Sequence, residues 1–165
     1  MNEAYLSLGG NLGNCIETFA KALKLLERQA IRVLEKSSIY TTEPWEMQNA
    51  PDFYNRCIQI RTNHSSNELM DIILGIEKEL GRERSEGDSY ESRTIDIDIL
   101  FFNSETIDTP VLKVPHPRLH LRRFVLEPLS EIAPSFIHPA LQKEITELLE
   151  ICEDKCRTKK IAHAF

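Results

Sequence analysis

The sequence predicts an α+β domain built on a mainly antiparallel sheet. Three observations carry that reading. Several short segments alternate apolar and polar residues with the period of two that a strand requires. Two segments between them repeat their apolar residues at helical spacing instead. The order in which these segments follow one another then restricts the topology.

Ala4-Tyr5-Leu6-Ser7-Leu8 alternates and predicts the first strand. Gly9-Gly10-Asn11-Leu12-Gly13-Asn14 reads as a turn. Asn14, with Glu17 three residues later, marks a helix start, and Ile16, Phe19, Ala20, Leu23 and Leu26 give that helix its apolar stripe. Residues 31–40 predict a second strand with Ile31, Val33 and Ile39 inward. Residues 41–52, which hold Pro44, Trp45 and Pro51, predict an irregular loop. Residues 53–62 predict a third strand, in which Cys57 is followed by Ile58 and Ile60.

Ser65 and Glu68 fit a capping box, and Leu69, Ile72, Ile73, Ile76 and Leu80 form the stripe of the second long helix, which Gly81 can terminate. Residues 82–92 are polar and aperiodic and predict a mobile loop. Residues 93–102 predict the next strand, with Ile95, Ile97, Ile99 and Phe101 on one face and Thr94, Asp96, Asp98 and Leu100 on the other. A short hairpin strand follows near residues 105–108, then a loop or short helix over 115–122, then helices over 124–132 and 141–152. The order strand, helix, strand, strand, helix, strand is the split βαβ, ferredoxin-like arrangement, here with a helical C-terminal extension. It places the two long helices on one face of the sheet and leaves the other face for a site. With no internal repeat or low-complexity linker, residues 1–165 read as one domain.

Composition narrows the function classes. The 165 residues are 41% hydrophobic and 28% charged, ordinary values for a globular chain with a sizeable core. A formal charge of −6 argues against a general nucleic-acid binder, though it permits a local basic pocket. No run approaches the roughly 18 apolar residues of a membrane span. Met1-Asn2-Glu3 lacks the basic start and apolar stretch of a signal peptide, so the expected compartment is the cytoplasm. Cys15, Cys57, Cys152 and Cys156 form no CxxC pair and are expected to be reduced thiols. His64, His120, His138 and His163 show no ligand spacing and read as surface or loop residues.

The chemistry concentrates around one strand. Asp96 and Asp98 project to the same face, roughly 6–7 Å apart. Two unscreened carboxylates at that spacing repel by about 2–3 kcal/mol at an effective dielectric near 20. Such a pair calls for a cation, and hard oxygen ligands that serve substrate phosphates favour Mg²⁺; a strand with one solvated face accommodates two acids as well. Arg82, Arg84 and Arg93 precede the pair, and His116, Arg118, Arg122 and Arg123 follow it. Carboxylates among arginines are the inventory of phosphoryl transfer. Phe53, Asn55 and Phe124 would suit a flat heterocycle, rings on its faces and an amide on its edge. The Gly9 to Gly13 turn has neither Rossmann spacing nor the Lys-Ser/Thr of a P-loop, but its backbone can approach a ligand closely.

These residues together resemble the 6-hydroxymethyl-7,8-dihydropterin pyrophosphokinase family of the folate pathway. The likeness rests on Tyr5-Leu6-Ser7-Leu8-Gly9-Gly10-Asn11-Leu12-Gly13, Pro51-Asp52-Phe53-Tyr54-Asn55, Glu77 with Gly81-Arg82-Glu83-Arg84, Arg93-Thr94-Ile95-Asp96-Ile97-Asp98-Ile99-Leu100, Val114-Pro115-His116-Pro117-Arg118, and residues 124–134. The chain departs from the common pattern at Phe53 (often Tyr), Leu74 (at times Gln), Tyr90 (near a frequent Trp), Glu91-Ser92 (usually Gly-Pro or Gly-Ala) and Pro117 (often aromatic).

The resemblance implies transfer of pyrophosphate from ATP to the hydroxymethyl group of the reduced pterin, with AMP released. It implies two Mg²⁺ ions on Asp96 and Asp98, and Arg82 and Arg93 acting on the triphosphate during reaction. Leu74, Glu77, Arg84, Ile99, His116 and Arg122 are the implied ATP contacts. Thr42, Pro44, Trp45, Phe53, Asn55 and Phe124 are the implied pterin contacts. The expected partners are these two small molecules, with no nucleic acid or membrane, and the expected state is a monomer.

Overall fold

The computed structural model describes residues 1–43, 51–81 and 94–161. Its elements run β1 (Asn2–Gly10), α1 (Cys15–Arg28), β2 (Arg32–Lys36), β3 (Tyr40–Thr42), β4 (Phe53–Thr62), α2 (Ser66–Glu79), β5 (Asp96–Phe102), β6 (Ile107–Asp108), β7 (Lys113–Val114), α3 (Arg123–Ile132), α4 (Ile145–Glu150) and β8 (Thr158–Lys160), with a 3₁₀ turn at Leu119–Leu121. The main sheet has the order β5, β1, β4, β3, β8, with β2 also paired to β4, and its pairings are antiparallel. This is an α+β architecture.

Local chemistry accounts for the two long helices. The Asn14 side chain accepts the Glu17 N–H at 3.1 Å, and Ser65 and Glu68 close a reciprocal capping box. Gly81, at φ 90°, follows the end of α2 in the left-handed region that a β-carbon disfavours. Phe19, Ala22 and Leu26 of α1 and Leu69, Ile73 and Ile76 of α2 pack on Leu6, Leu8, Ile58, Ile60, Ile97 and Ile99 of the sheet. A fully buried ring such as Phe19 makes a large contribution; truncation to alanine would cost about 3–5 kcal/mol.

The opposite face differs from expectation. It is not left open: Val125, Leu126 and Leu129 of α3 and Ile145 and Leu148 of α4 cover it in a second cluster with Cys57, Leu100 and Phe101. The cause is local. The β1–β5 register shifts between Tyr5 and Leu6, a bulge that brings Leu100 and Phe101 to the same side. Strict alternation assigns Phe101 to the α1/α2 side, whereas its ring lies edge-on to Tyr5 at 6.3 Å and against Phe136 at 4.6 Å. That apolar surface requires cover.

Other corrections are smaller. The strand expected over 31–40 is interrupted, β2 ending at Lys36 and β3 beginning at Tyr40. Buried Arg56 donates to the Ser37 carbonyl between them, and the Ser37 hydroxyl accepts the Cys57 N–H. The expected loop from residue 41 therefore begins two residues later. The helix expected over 141–152 is confined to α4, and the chain then returns as β8, a strand its Thr158-Lys159-Lys160 sequence did not announce. His138 is buried, not a surface residue: its Nδ1 accepts the backbone N–H groups of Ala140 and Leu141 and its ring meets Phe101 edge-on.

Candidate active site

The sheet register builds the site. β1 lies between β5 and β4; Asp96 pairs with Gly9, and Gly9 with Asn55. One step further along, Asp98 pairs with Ser7, and Ser7 with Cys57. Directly opposed residues share a face. Two rows therefore cross the sheet on the side of α3. The row through Cys57 lies under the start of α3, whose Val125 carbonyl is 3.7 Å from the Cys57 sulfur. The row through Gly9 lies beyond that helix end.

Gly9 has a steric role here. A β-carbon on it would stand 3.0 Å from Asn55 Oδ1, closer than ordinary contact. Its absence makes a flat floor between the carboxylate of Asp96 and the amide of Asn55. The Asn55 amide nitrogen donates to Thr42 Oγ1 at 3.4 Å, and both residues are buried. Thr42 pairs with Phe53, two residues before Asn55 on the same face of β4. Phe124, in the first turn of α3, closes the other side. Thr42, Phe53, Asn55 and Phe124, with Asp154 and Cys156 from the C-terminal segment, line one pocket. Two aromatic walls and one buried amide suit a flat, polar-edged heterocycle.

Asp96 of the carboxylate pair lies across Gly9 from Asn55 of this pocket. Among the described residues no three His, Cys, Asp or Glu side chains gather as a closed metal site. Two carboxylates on one face fit a different ion: Mg²⁺, which keeps water and substrate phosphate oxygens in its remaining positions. Glu77 of α2 is buried and accepts the Ile97 N–H at 3.2 Å, on the edge strand between the two aspartates. That bond ties the end of α2 to the stretch of strand that presents both carboxylates.

His116 adds a neutral donor. Its backbone N–H bonds the Leu100 carbonyl at 3.0 Å, which holds the segment against β5. Burial, then the positive charge of Arg122, pushes its imidazole down to about 4, with Asp96 opposing and Arg118 assisting. At neutral pH the ring is uncharged. Nδ1 accepts the Arg118 N–H at 3.1 Å, so the ring proton resides on Nε2. The Arg122 guanidinium lies 5.7 Å from the Phe124 ring centre, over its face.

Of the residues singled out in the sequence, Asp96, Asp98, Glu77, His116 and Arg122 surround the edge strand, while Thr42, Phe53, Asn55 and Phe124 form the pocket. Leu74 is on the solvent side of α2, 39% exposed. The Ile99 side chain is packed into the core between sheet and helices, leaving its backbone at the sheet edge. Pro44, Trp45, Arg82, Arg84 and Arg93 lie outside the described residues. Sequence reasoning missed Gly9 as a floor residue, although it noted that the glycine-rich backbone could approach a ligand. It also missed Asp154 and Cys156, which no local motif marks.

A family model described as 7,8-dihydro-6-hydroxymethylpterin-pyrophosphokinase (HPPK) matches residues 5–134. A Porphyromonas gingivalis protein named 2-amino-4-hydroxy-6-hydroxymethyldihydropteridine pyrophosphokinase is 39% identical over 141 residues, covering 84% of this chain and 95% of its own. A Bacillus subtilis protein of the same name is 37% identical over 165 residues, 99% of this chain and 98% of its own. Among solved structures, wild-type Plasmodium falciparum HPPK-DHPS is similar with a TM-score of 0.73 at 18% identity. That match covers 90% of this chain and 44% of the other, so this chain spans less than half of that longer protein, and the likeness concerns the fold.

Proposed function

The chain belongs to the 7,8-dihydro-6-hydroxymethylpterin-pyrophosphokinase family, and on that premise we propose how its residues carry out the reaction. It transfers pyrophosphate from ATP to 6-hydroxymethyl-7,8-dihydropterin, a step of folate biosynthesis. The pterin hydroxyl oxygen forms a bond to the β-phosphorus of ATP. The bond from that phosphorus to the oxygen shared with the α-phosphorus breaks, and AMP leaves with that oxygen. The hydroxyl proton passes to water or an aspartate.

In our reading the pterin lies between Phe53 and Phe124, with Asn55 on its edge and Thr42, Pro44 and Trp45 beside it. Asp96 and Asp98 hold two Mg²⁺ ions, which when bound neutralise the triphosphate and acidify the hydroxyl. His116, through Nε2–H, and Arg122 bind phosphate oxygens. Arg82, Arg84 and Arg93 supply further positive charge, Arg82 and Arg93 chiefly as the reaction proceeds. Glu77 keeps the edge strand in place. The adenine meets the β5 edge at the Ile99 backbone, with Leu74 nearby.

The observation that carries this reading is the row of Asp96, Gly9 and Asn55. Neighbouring strands are about 4.8 Å apart, so roughly 10 Å separates the carboxylate strand from the amide strand. A heterocycle on Asn55 can thus extend its hydroxymethyl arm across Gly9 toward the aspartates. The strand order, with the two long helices on one face, supports a ferredoxin-like core. We place the protein in the cytoplasm as a monomer; its four cysteines are free thiols, and no described helix is long and apolar enough to cross a membrane.

Calorimetry tests the pocket assignment. With Mg²⁺ and a non-hydrolysable ATP analogue present, the reduced pterin alcohol should bind, and Asn55→Ala should weaken it at least tenfold. Equal affinity in the variant would contradict the assignment.

A further inference from the structure

Residues 152–160 reach the pocket from outside the span that the family model matches, which ends at residue 134. They grip both of its walls. β8 pairs antiparallel with β3, placing Thr158 opposite Thr42, and Ile161 N–H continues the contact to the Ile39 carbonyl at 2.8 Å. On the other wall, the Asp154 carboxylate accepts the Arg123 backbone N–H at 3.1 Å. Arg123 is the first residue of α3, and the residue before it, Arg122, makes no side-chain cap. Asp154 therefore caps this helix from a remote part of the chain. The Arg123 side chain returns the contact, its Nε donating to the Asp154 carbonyl at 2.8 Å and a terminal nitrogen to the Cys152 carbonyl at 3.5 Å. The carboxylate is itself held, since its other oxygen accepts the Cys156 N–H at 2.9 Å.

Phe124 is the next residue of α3. Its backbone is fixed only as firmly as the helix end that carries it, and exposed helix ends fray. We propose that this C-terminal strap sets the width of the pterin pocket, and that Asp154 is a positioning residue acting through Phe124. The proposal rests on the reading of this pocket as the pterin site. It adds a specificity element that the motifs of residues 5–134 do not contain. Among the described residues the contacts named above tie the strap to β3 and to the first turn of α3, so its effect should fall first on the pterin.

The test compares Asp154→Ala, Asp154→Asn and Phe124→Ala in the full chain. Pterin Kd is measured with Mg²⁺ and a non-hydrolysable ATP analogue, and KM for each substrate and kcat are measured with ATP. Asp154→Ala should raise pterin Kd and KM about five- to tenfold, the size expected for a lost helix cap, with KM for ATP, which Arg122 beside the cap also serves, rising clearly less. Asp154→Asn keeps an oxygen that can accept the Arg123 N–H and should restore most of the affinity. Should Asp154→Ala fail to fold, Arg123→Ala carries the test, with the same pterin-selective loss expected. Unchanged pterin affinity in the Asp154 variant while Phe124→Ala weakens it would overturn the strap and leave the pocket standing. A loss shared equally by ATP and pterin would also overturn it. If Phe124→Ala binds pterin as wild type does, the pocket assignment fails and the strap proposal falls with it.

Discussion

Asp96 and Asn55 stand in one cross-strand row, on either side of Gly9 and on the same face of the sheet. The relationship joins two kinds of chemistry. A carboxylate strand suited to a phosphate-bound cation is set beside an amide-floored aromatic pocket, and a residue without a side chain is all that separates them.

Gly9→Ala should therefore damage the pterin half of the reaction. Its β-carbon would meet Asn55 Oδ1 at 3.0 Å, and the buried amide must shift away from its Thr42 partner. We expect pterin KM to rise about tenfold, corresponding to about 1.4 kcal/mol, with KM for ATP little changed. Steady-state kinetics in both substrates check this, and an unchanged pterin KM would contradict it.

The two aspartates should be needed for chemistry and dispensable for folding. Asp96→Ala and Asp98→Ala should each lower kcat by at least about a thousandfold, the scale at which catalysis depends on electrostatic stabilisation. Circular dichroism should remain that of the wild type. Removing Mg²⁺ with a chelator should abolish turnover in the wild type, and its return should restore it.

Glu77 should matter for both stability and rate. Glu77→Ala deprives the Ile97 N–H of its acceptor in a buried position, which costs about 1–3 kcal/mol. The same change loosens the strand that carries Asp96 and Asp98, so kcat should fall as well. Glu77→Gln retains an acceptor oxygen and should recover most of the stability in urea unfolding.

Glu131 links α3 to the β3 region and supplies a pH dependence. Burial alone would raise its carboxyl pKa, but hydrogen bonds from Ser38 and Tyr40, with Lys160 nearby, lower it. A carboxyl lowered on folding stabilises the protein above its unfolded pKa, about 4.3. That stability is lost as pH falls through the lower folded value. Glu131→Gln should cost about 1–2 kcal/mol at pH 7, discounted for partial exposure. The urea midpoints of variant and wild type should converge as the pH falls below the carboxylate range; a constant gap would contradict the linkage.

Much of this was legible in the chain because period and capping are local properties. The alternation of Asp96 and Asp98 with isoleucines placed the carboxylates on one face, and Asn14, Ser65 and Gly81 marked helix ends where the structure has them. What escaped depends on distant partners. Leu100 and Phe101 share a side because β1 and β5 slip register there, and no residue in that strand announces the slip. β8 is three residues with two lysines and acquires its strand geometry from the edge of β3. Asp154 caps a helix 31 residues away, beyond the reach of any capping motif. Gly9 resembled a turn glycine until Asn55 stood opposite it.

The central claim is pyrophosphate transfer at the Asp96 and Asp98 strand beside the Phe53 and Phe124 pocket. Purified protein with ATP, Mg²⁺ and 6-hydroxymethyl-7,8-dihydropterin tests it most directly, with adenosine products separated and counted. AMP should form in equal amount to the pterin diphosphate, and Asp96→Ala should form neither. ADP as the nucleotide product, or AMP formation undiminished in Asp96→Ala, would contradict the account.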